Sequence, residues 1–289
     1  MNEGKIVLVT GATSGMGLAT SIEMAKKGFE VVMVGRNEEK GSNALDYAKA
    51  ESQSKRLSFM QCDLASMDSI RQFVSIVKKK YRKIDVLINN AGVLCIRRET
   101  TKDGFEMQMG VNHLGHFLLT NLLLELIVNA KEGRIVNVSS GGHKWGDFYK
   151  NDPHFISGYN LFKGYGQSKL ANVLFTKELA KKLRNRNVTV NTLHPGAVAT
   201  SLGVNRQTGF GKLIYKMLSP FFQTPLEGAS TTIYLATSPE VKSISGEYFI
   251  NKKIAKTSKK ANDMDLAKHL WEWSSKEVSL DNDSYLSKQ

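Results

Sequence analysis

Thr10-Gly11-Ala12-Thr13-Ser14-Gly15-Met16-Gly17-Leu18 follows the apolar run Ile6-Val7-Leu8-Val9 without a break. Glycines in a GxxxGxG pattern let the backbone turn sharply and lie close to a pyrophosphate, and the start of a helix favours negative charge. A glycine-rich turn alone is only a loop; its place between a strand and a helix gives it meaning. Outward from this turn, apolar runs of strand length cover residues 5–10, 30–34, 57–62, 84–89, 134–139, 188–193 and 247–250. Longer amphipathic stretches separate them, as in Ile70, Phe73, Val74 and Val77 at helical spacing. The runs Ile84-Asp85-Val86-Leu87-Ile88 and Ile135-Val136-Asn137-Val138 are rich in β-branched residues and suit strands covered on both faces. Strand–helix alternation of this kind predicts right-handed crossovers and an α/β, doubly wound sheet, mostly parallel and seven-stranded, with helices on both faces. Ligands of such sheets bind beyond the carboxyl ends of the strands, where every motif below falls.

The second strand ends in Gly35-Arg36-Asn37. A site for NAD(H) usually carries Asp or Glu here to bind the adenosine ribose hydroxyls. A carboxylate would repel a 2′-phosphate, whereas a guanidinium clasps one. Gly35 in the acidic slot beside Arg36 therefore predicts NADP(H) over NAD(H). Further strand ends carry Cys62-Asp63-Leu64, Asn89-Asn90-Ala91-Gly92 and Ser139-Ser140. Then come Tyr165-Gly166-Gln167-Ser168-Lys169 at the expected start of a helix, and His194-Pro195-Gly196-Ala197-Val198-Ala199-Thr200. Four residues apart on a helix, Tyr165 and Lys169 share a face.

In this order TGATSGMG, NNAG, VNHLGHF, IVNVSS, YGQSK and HPGAVAT resemble the short-chain dehydrogenase/reductase family, most closely its retinol-dehydrogenase-like branch. The resemblance runs from Lys5 to Thr200. It implies a single Rossmann-type domain over residues 1–289 and the catalytic set Asn112, Ser140, Tyr165 and Lys169. Ser140 is preferred to Ser139 because the second serine of the pair is the usual family choice. Expected cofactor contacts are Gly11, Ser14, Gly15, Met16 and Gly17, then Arg36 and Asn37, Asp63 and Leu64, and Asn90, Ala91 and Gly92. Tyr165, Lys169, Pro195, Gly196, Val198 and Thr200 complete them, the last two resembling residues that grip the carboxamide. A tyrosine of ordinary pKa is a poor base near neutrality, and a neighbouring ammonium is expected to lower it. The resemblance further implies that Lys169 holds the nicotinamide ribose, Ser140 hydrogen-bonds the substrate oxygen and Asn112 positions a relay water.

A second Tyr-xxx-Lys pair, Tyr159 and Lys163, is disfavoured because Gly158 and Gly164 bracket it with helix-weakening residues. His113 and His116 lack a third ligand pattern and read as structural, so no metal is expected. Met107 and Met109 read as packing residues. The segment after Thr200, about residues 201–225 with Leu202, Phe210, Leu213, Tyr215, Phe221 and Phe222, is compatible with a lid over an apolar substrate and equally with core under a loop or an interfacial patch. The insertion between Ser140 and Tyr165, with Trp145, Phe148, Tyr149, Phe155 and Phe162, flanks the same cleft.

Composition sets the limits. The 289 residues are 41% hydrophobic and 23% charged, with no repeat and no low-complexity tract. No uninterrupted apolar stretch approaches the roughly 20 residues of a membrane span. The opening residues enter the first strand directly, so no signal peptide is expected. Cys62 and Cys95 are too few for a disulfide framework and read as inert thiols in a reducing cytoplasm. The formal charge of +13 is scattered along the chain, which argues against nucleic-acid binding. It leaves open an anionic cofactor or peripheral contact with an acidic membrane. Monomer and homo-oligomer are equally compatible. The leading expectation is an enzyme acting on an apolar aldehyde or ketone, retinal-like or lipid-like. The alternative is a catalytically weak cofactor-binding sensor, or an anionic-membrane-associated protein, on the same fold.

Overall fold

Ile6–Thr10 forms β1, buried along its whole length. Alternate residues point to opposite sides of a strand. Val7 and Val9 enter one hydrophobic core and Leu8 the other. The computed structural model describes residues 4–196 and 224–280. The first half continues with α1 (Gly15–Lys26), β2 (Glu30–Gly35), α2 (Glu38–Ser52), β3 (Leu57–Gln61), α3 (Met67–Lys80) and β4 (Val86–Asn89). The second comprises α4 (Met107–Val128), β5 (Gly133–Val138), α5 (Leu161–Lys182), β6 (Val188–His194), α6 (Pro225–Thr237), β7 (Tyr248–Ile250), β8 (Lys253–Ile254) and α7 (Met264–Glu277).

The strands form one sheet in the order β3-β2-β1-β4-β5-β6-β7-β8, parallel as far as β7. Strand order reverses between β1 and β4, and a crevice opens beyond their carboxyl ends. Helices α1, α2 and α6 cover one face, where Met24, Ala44 and Leu235 meet Val7, Val31 and Val136. Helices α3, α4 and α5 cover the other, where Phe73, Phe117 and Leu179 meet Leu8, Leu87 and Ile135. The periodic residues Ile70, Phe73, Val74 and Val77 are the buried stripe of α3, as the spacing predicts. Helix α4 is long and apolar enough by composition to cross a membrane, but it is a core helix with most of its surface packed inside the fold.

Among the described residues the sheet has eight strands, one more than expected. Asn251 and Lys252, with φ of 49° and 63°, make a two-residue turn that folds β8 antiparallel onto β7. Both central residues are left-handed, the conformation that suits a tight hairpin. A strand of two exposed residues after an Asn-Lys turn carries almost no hydrophobic signature. Helix α5 also begins earlier than expected, at Leu161. Asn160 Oδ1 accepts from the amides of Phe162 and Lys163 and caps it. Gly164 lies inside the helix, where a Cβ would stand 2.6 Å from Gln108 Nε2. Packing overrides its weak helix propensity.

A polar chain crosses the apolar core. Asn89 Nδ2 donates to Thr120 Oγ1 (2.9 Å) and Asn137 Oδ1 (2.8 Å), and Asn137 Nδ2 donates to Thr176 Oγ1 (2.8 Å). It ties β4 and β5 to α4 and α5. Buried polar groups left unpaired are costly, so this chain sets the register of the two helices that carry the site.

Candidate active site

The glycine turn and the loop after β4 are interlocked. Gly11 and Gly15 have φ of +65° and +54°, and a Cβ on Gly11 would lie 2.9 Å from Ala91 Cα. A Cβ on Gly17 would collide with the Gly11 carbonyl oxygen. Thr10 Oγ1 accepts from the amides of Asn90 (2.9 Å) and Ala91 (3.0 Å), and Asn90 Nδ2 donates to Thr10 O (2.8 Å). His116 extends this junction to α4. Its Nδ1 faces the Asn112 carbonyl at 3.1 Å and its Nε2 faces Thr10 Oγ1 at 2.9 Å. A carbonyl can only accept, so Nδ1 carries the proton and Thr10 donates to Nε2. Burial pushes the His116 pKa down to about 4, which keeps the ring neutral as this arrangement requires. Thr10 is not among the cofactor or catalytic residues expected from the sequence; its one local signal is a hydroxyl where a strand runs into a glycine turn.

Between these segments lies a cleft of about 480 Å³. Of the expected cofactor residues, Gly11, Ser14, Gly15, Met16, Gly17, Arg36, Asp63, Leu64, Asn90, Ala91 and Gly92 line it. Ser14 precedes α1 without capping it by its side chain, so the first amides of that helix are open to the cleft. Arg36 is exposed and forms no ion pair among the described residues; Gln61 Nε2 holds its carbonyl at 3.0 Å. Asn37 does not line the cleft, and its Oδ1 caps α2 through Lys40 N (2.8 Å). Pro195 and Gly196 follow β6, while Val198, Thr200 and the expected lid up to residue 223 lie outside the described residues. Thr13, Val93, Leu94, Glu99 and Val111 also line the cleft, as do Met107 and both cysteines. Burial raises the thiol pKa of Cys62 to about 12 and of Cys95 to about 11, which leaves them poor nucleophiles.

The four expected catalytic residues converge behind Gly92. A Cβ on Gly92 would lie 3.4 Å from Asn112 Oδ1 and 3.7 Å from Lys169 Nζ. Asn112 lies in a π-helical turn of α4 (Gly110–Gly115). Its amide is held at both ends: Oδ1 accepts from Val93 N (2.7 Å), and Nδ2 donates to Val93 O and Ser168 Oγ (both 3.0 Å). The two serines divide clearly. Ser139 Oγ donates to the Lys169 carbonyl (2.7 Å) and is structural. Ser140 Oγ accepts from Gly142 N (3.2 Å) and faces the Tyr165 phenol. Gly142 leaves room for the Tyr165 ring, since a Cβ there would lie 3.0 Å from Cε1.

Lys169 is buried, with Nζ 3.3 Å from the Val138 carbonyl and 5.6 Å from the centre of the Tyr165 ring. Burial lowers its pKa to about 8. The Tyr165 pKa is raised, by burial first, with the Ser140 hydrogen bond opposing. The sequence led us to expect that the lysine would lower it. Here desolvation of the phenolate outweighs the other influences on the ring.

Tyr159 and Lys163 belong elsewhere. Tyr159 OH donates to Cys95 O (2.6 Å) and accepts from Gln108 Nε2 (2.8 Å), while Lys163 is exposed and its Nζ lies over the Tyr149 ring. His113 is buried, its Nε2 at 2.8 Å from Ser274 Oγ of α7, so it joins two helices. Met109 is fully buried, as expected of a packing residue.

A family model described as short chain dehydrogenase matches residues 5–209. The chain is 44% identical to retinol dehydrogenase 14 of Homo sapiens, over 96% of this chain and 87% of that one. It is 42% identical to retinol dehydrogenase 13 of Mus musculus, over 96% and 84%. A solved structure from Mycobacterium paratuberculosis superposes with a TM-score of 0.77 at 30% identity, covering 96% of this chain and 94% of the other.

Proposed function

The chain belongs to the short chain dehydrogenase family, its relatives include retinol dehydrogenases, and we propose that it moves a hydride between NADP(H) and an apolar aldehyde or ketone, reversibly toward the alcohol. The observation that carries this reading is the convergence of Ser140 and Lys169 on Tyr165, with Lys169 Nζ next to Gly92, which lines the cleft. The residues present fit a dinucleotide. Open amides at the start of α1 suit its pyrophosphate. Gly35 and Arg36 suit a 2′-phosphate, with no carboxylate at the end of β2 to repel it.

When bound, the nicotinamide supplies or accepts the hydride. In the direction of reduction, Tyr165 gives its phenolic proton to the oxygen of the substrate. Its raised pKa keeps that proton in place at neutral pH, as a general acid requires. Ser140, its acceptor side engaged by the Gly142 amide, directs its own proton toward the same oxygen. Lys169, still largely protonated at pH 7 with a pKa of about 8, eases proton loss from the phenol electrostatically. Asn112 holds the Gly92–Val93 segment against α5 through Val93 and Ser168. The preference for an apolar substrate is supported by Trp145 and Phe162, 58% and 64% exposed beside the Tyr165 turn and joined by Trp145 Nε1 donating to Phe162 O (3.3 Å).

The test is a panel of aldehydes and ketones of increasing chain length, run with NADPH and NADH. Turnover rising with chain length and favouring NADPH is expected. Intact nucleotide binding without turnover on any carbonyl would favour a sensor. By calorimetry, Arg36→Ala should weaken NADPH binding about tenfold or more and NADH binding little. Equal losses for the two nucleotides would remove Arg36 from the phosphate site.

A further inference from the structure

Gly35 ends β2 where that strand meets both the glycine turn and β3. A Cβ built on it would lie 2.7 Å from Thr13 Cγ2 and 3.3 Å from Phe59 Cε2. Neither neighbour yields easily. Thr13 is β-branched and stiff about χ1. Its loop is pinned to β2 by the Ala12 amide, which donates to Val34 O at 3.1 Å. Phe59 stands in register with Met33 on the neighbouring strand. Its ring also fills the space above Gly41, where an added Cβ would collide with it. The Cys62 amide donates to Gly35 O at 2.9 Å, so the strand end itself is held.

We infer that Thr13 is a specificity-determining residue for the adenosine end of the nucleotide: its γ-methyl closes position 35 to any side chain. The carboxylate that would capture the 2′- and 3′-hydroxyls of NADH therefore has no room at the end of β2. Arg36 is left to meet a nucleotide carrying a 2′-phosphate. Specificity arises here by excluding a competitor's contact as well as by making one. The inference rests on the NADP(H) reading above and adds the residue that enforces it. Thr13 lines the cleft and was not among the contacts expected from the sequence.

The test is a set of double-mutant cycles between positions 13 and 35. Gly35→Ala and Gly35→Asp are each made alone and together with Thr13→Ala. Thermal midpoints of the ligand-free proteins and calorimetric affinities for NADPH and NADH are then measured. Gly35→Ala should lower the midpoint by about 3–6 °C in the native background and by less than half as much beside Thr13→Ala. Gly35→Asp alone should bind both nucleotides about tenfold or more weaker, and with Thr13→Ala should bind NADH about tenfold tighter than NADPH. Equal midpoint losses in the two backgrounds would overturn the inference, as would NADH selectivity from Gly35→Asp alone. A native protein that binds NADH more tightly than NADPH would overturn the cofactor reading instead. The midpoint cycle would still decide whether Thr13 closes the slot.

Discussion

Tyr159–Lys163 and Tyr165–Lys169 are the same motif set six residues apart, and the fold uses them for opposite purposes. The first pair lies where α5 starts. There the Tyr159 hydroxyl spends both hydrogen-bonding roles on Cys95 O and Gln108 Nε2, and Lys163 is exposed. The second lies six residues deeper, with Ser140 facing the phenol and Lys169 buried against the Val138 carbonyl. Burial raises the pKa of both tyrosines. A perturbed pKa therefore does not identify the reactive one. What separates them is whether the hydroxyl is already satisfied by structure or is left beside other functional groups.

The largest effect should come from the phenols. Tyr165→Phe should lower turnover by about 10²–10⁴-fold, the usual worth of a general acid, while nucleotide affinity stays near native. Tyr159→Phe should keep turnover within about tenfold. Steady-state rates of the two variants with one carbonyl substrate decide the matter, and the reverse pattern would exchange the two pairs.

The lysines sharpen the contrast through pH. Lys169→Met should lose roughly a hundredfold in turnover, since it removes a preorganised positive charge beside the reacting oxygen. Lys163→Met should lose little. In stability the signs reverse. Below pH 8 both the folded and the unfolded chain carry the Lys169 proton, so the folded state bears the full cost of a buried ammonium. Between about 8 and the ordinary value of 10.5 the folded chain has released that proton and the unfolded chain has not, so the cost fades as pH rises. Lys169→Met should thus stabilise the protein by about 3 kcal/mol at pH 7, with the gain vanishing above the window. The Val138 carbonyl keeps a partner in Asn172 Nδ2 at 3.3 Å. Urea titrations at pH 7 and pH 10 measure this; a gain unchanged by pH would show that charge burial is not its source.

A smaller difference is expected between the adjacent serines. Ser140→Ala should cost about 10–100-fold in kcat/KM, as loss of a hydrogen bond to a developing charge does. Ser139→Ala should instead cost about 1 kcal/mol of stability, by releasing the Lys169 carbonyl. Rates and denaturation midpoints of both variants separate the roles. Tyr159→Phe is tested a second time as stability. Losing the bond to Cys95 O and leaving Gln108 Nε2 with only its long bond to Leu161 O (3.5 Å) should cost about 1–2 kcal/mol by denaturant titration. No change there would remove the structural role given to this residue.

Much of the fold is legible because its signals are local. Parallel strands buried on both faces must be continuously apolar, and a backbone that approaches phosphate must be glycine-rich, so seven strands and the turn at Gly11–Gly17 can be read directly. The candidate site is legible for a related reason: Asn90 and Ser140 follow strands at the carboxyl end of the sheet, as the architecture requires, and Tyr165 and Lys169 share a helix face four residues apart. Other features have no local signature. Residues 251–254 form a hairpin through two left-handed residues without an apolar run. Gly164 looks like a helix breaker until Gln108 is placed against it.

By itself, then, the sequence determined the class of sheet, the end of it that carries chemistry, and the residue types available there, because periodicity and backbone permissiveness act over a few residues. Only the tertiary structure decided which of two tyrosines, two lysines and two serines are brought together, that Thr10 and His116 join the glycine turn to Asn112, and that Thr13 closes the slot at Gly35. Each of those outcomes depends on desolvation and hydrogen bonding between groups far apart in the chain, and their partners exist only once the core has packed.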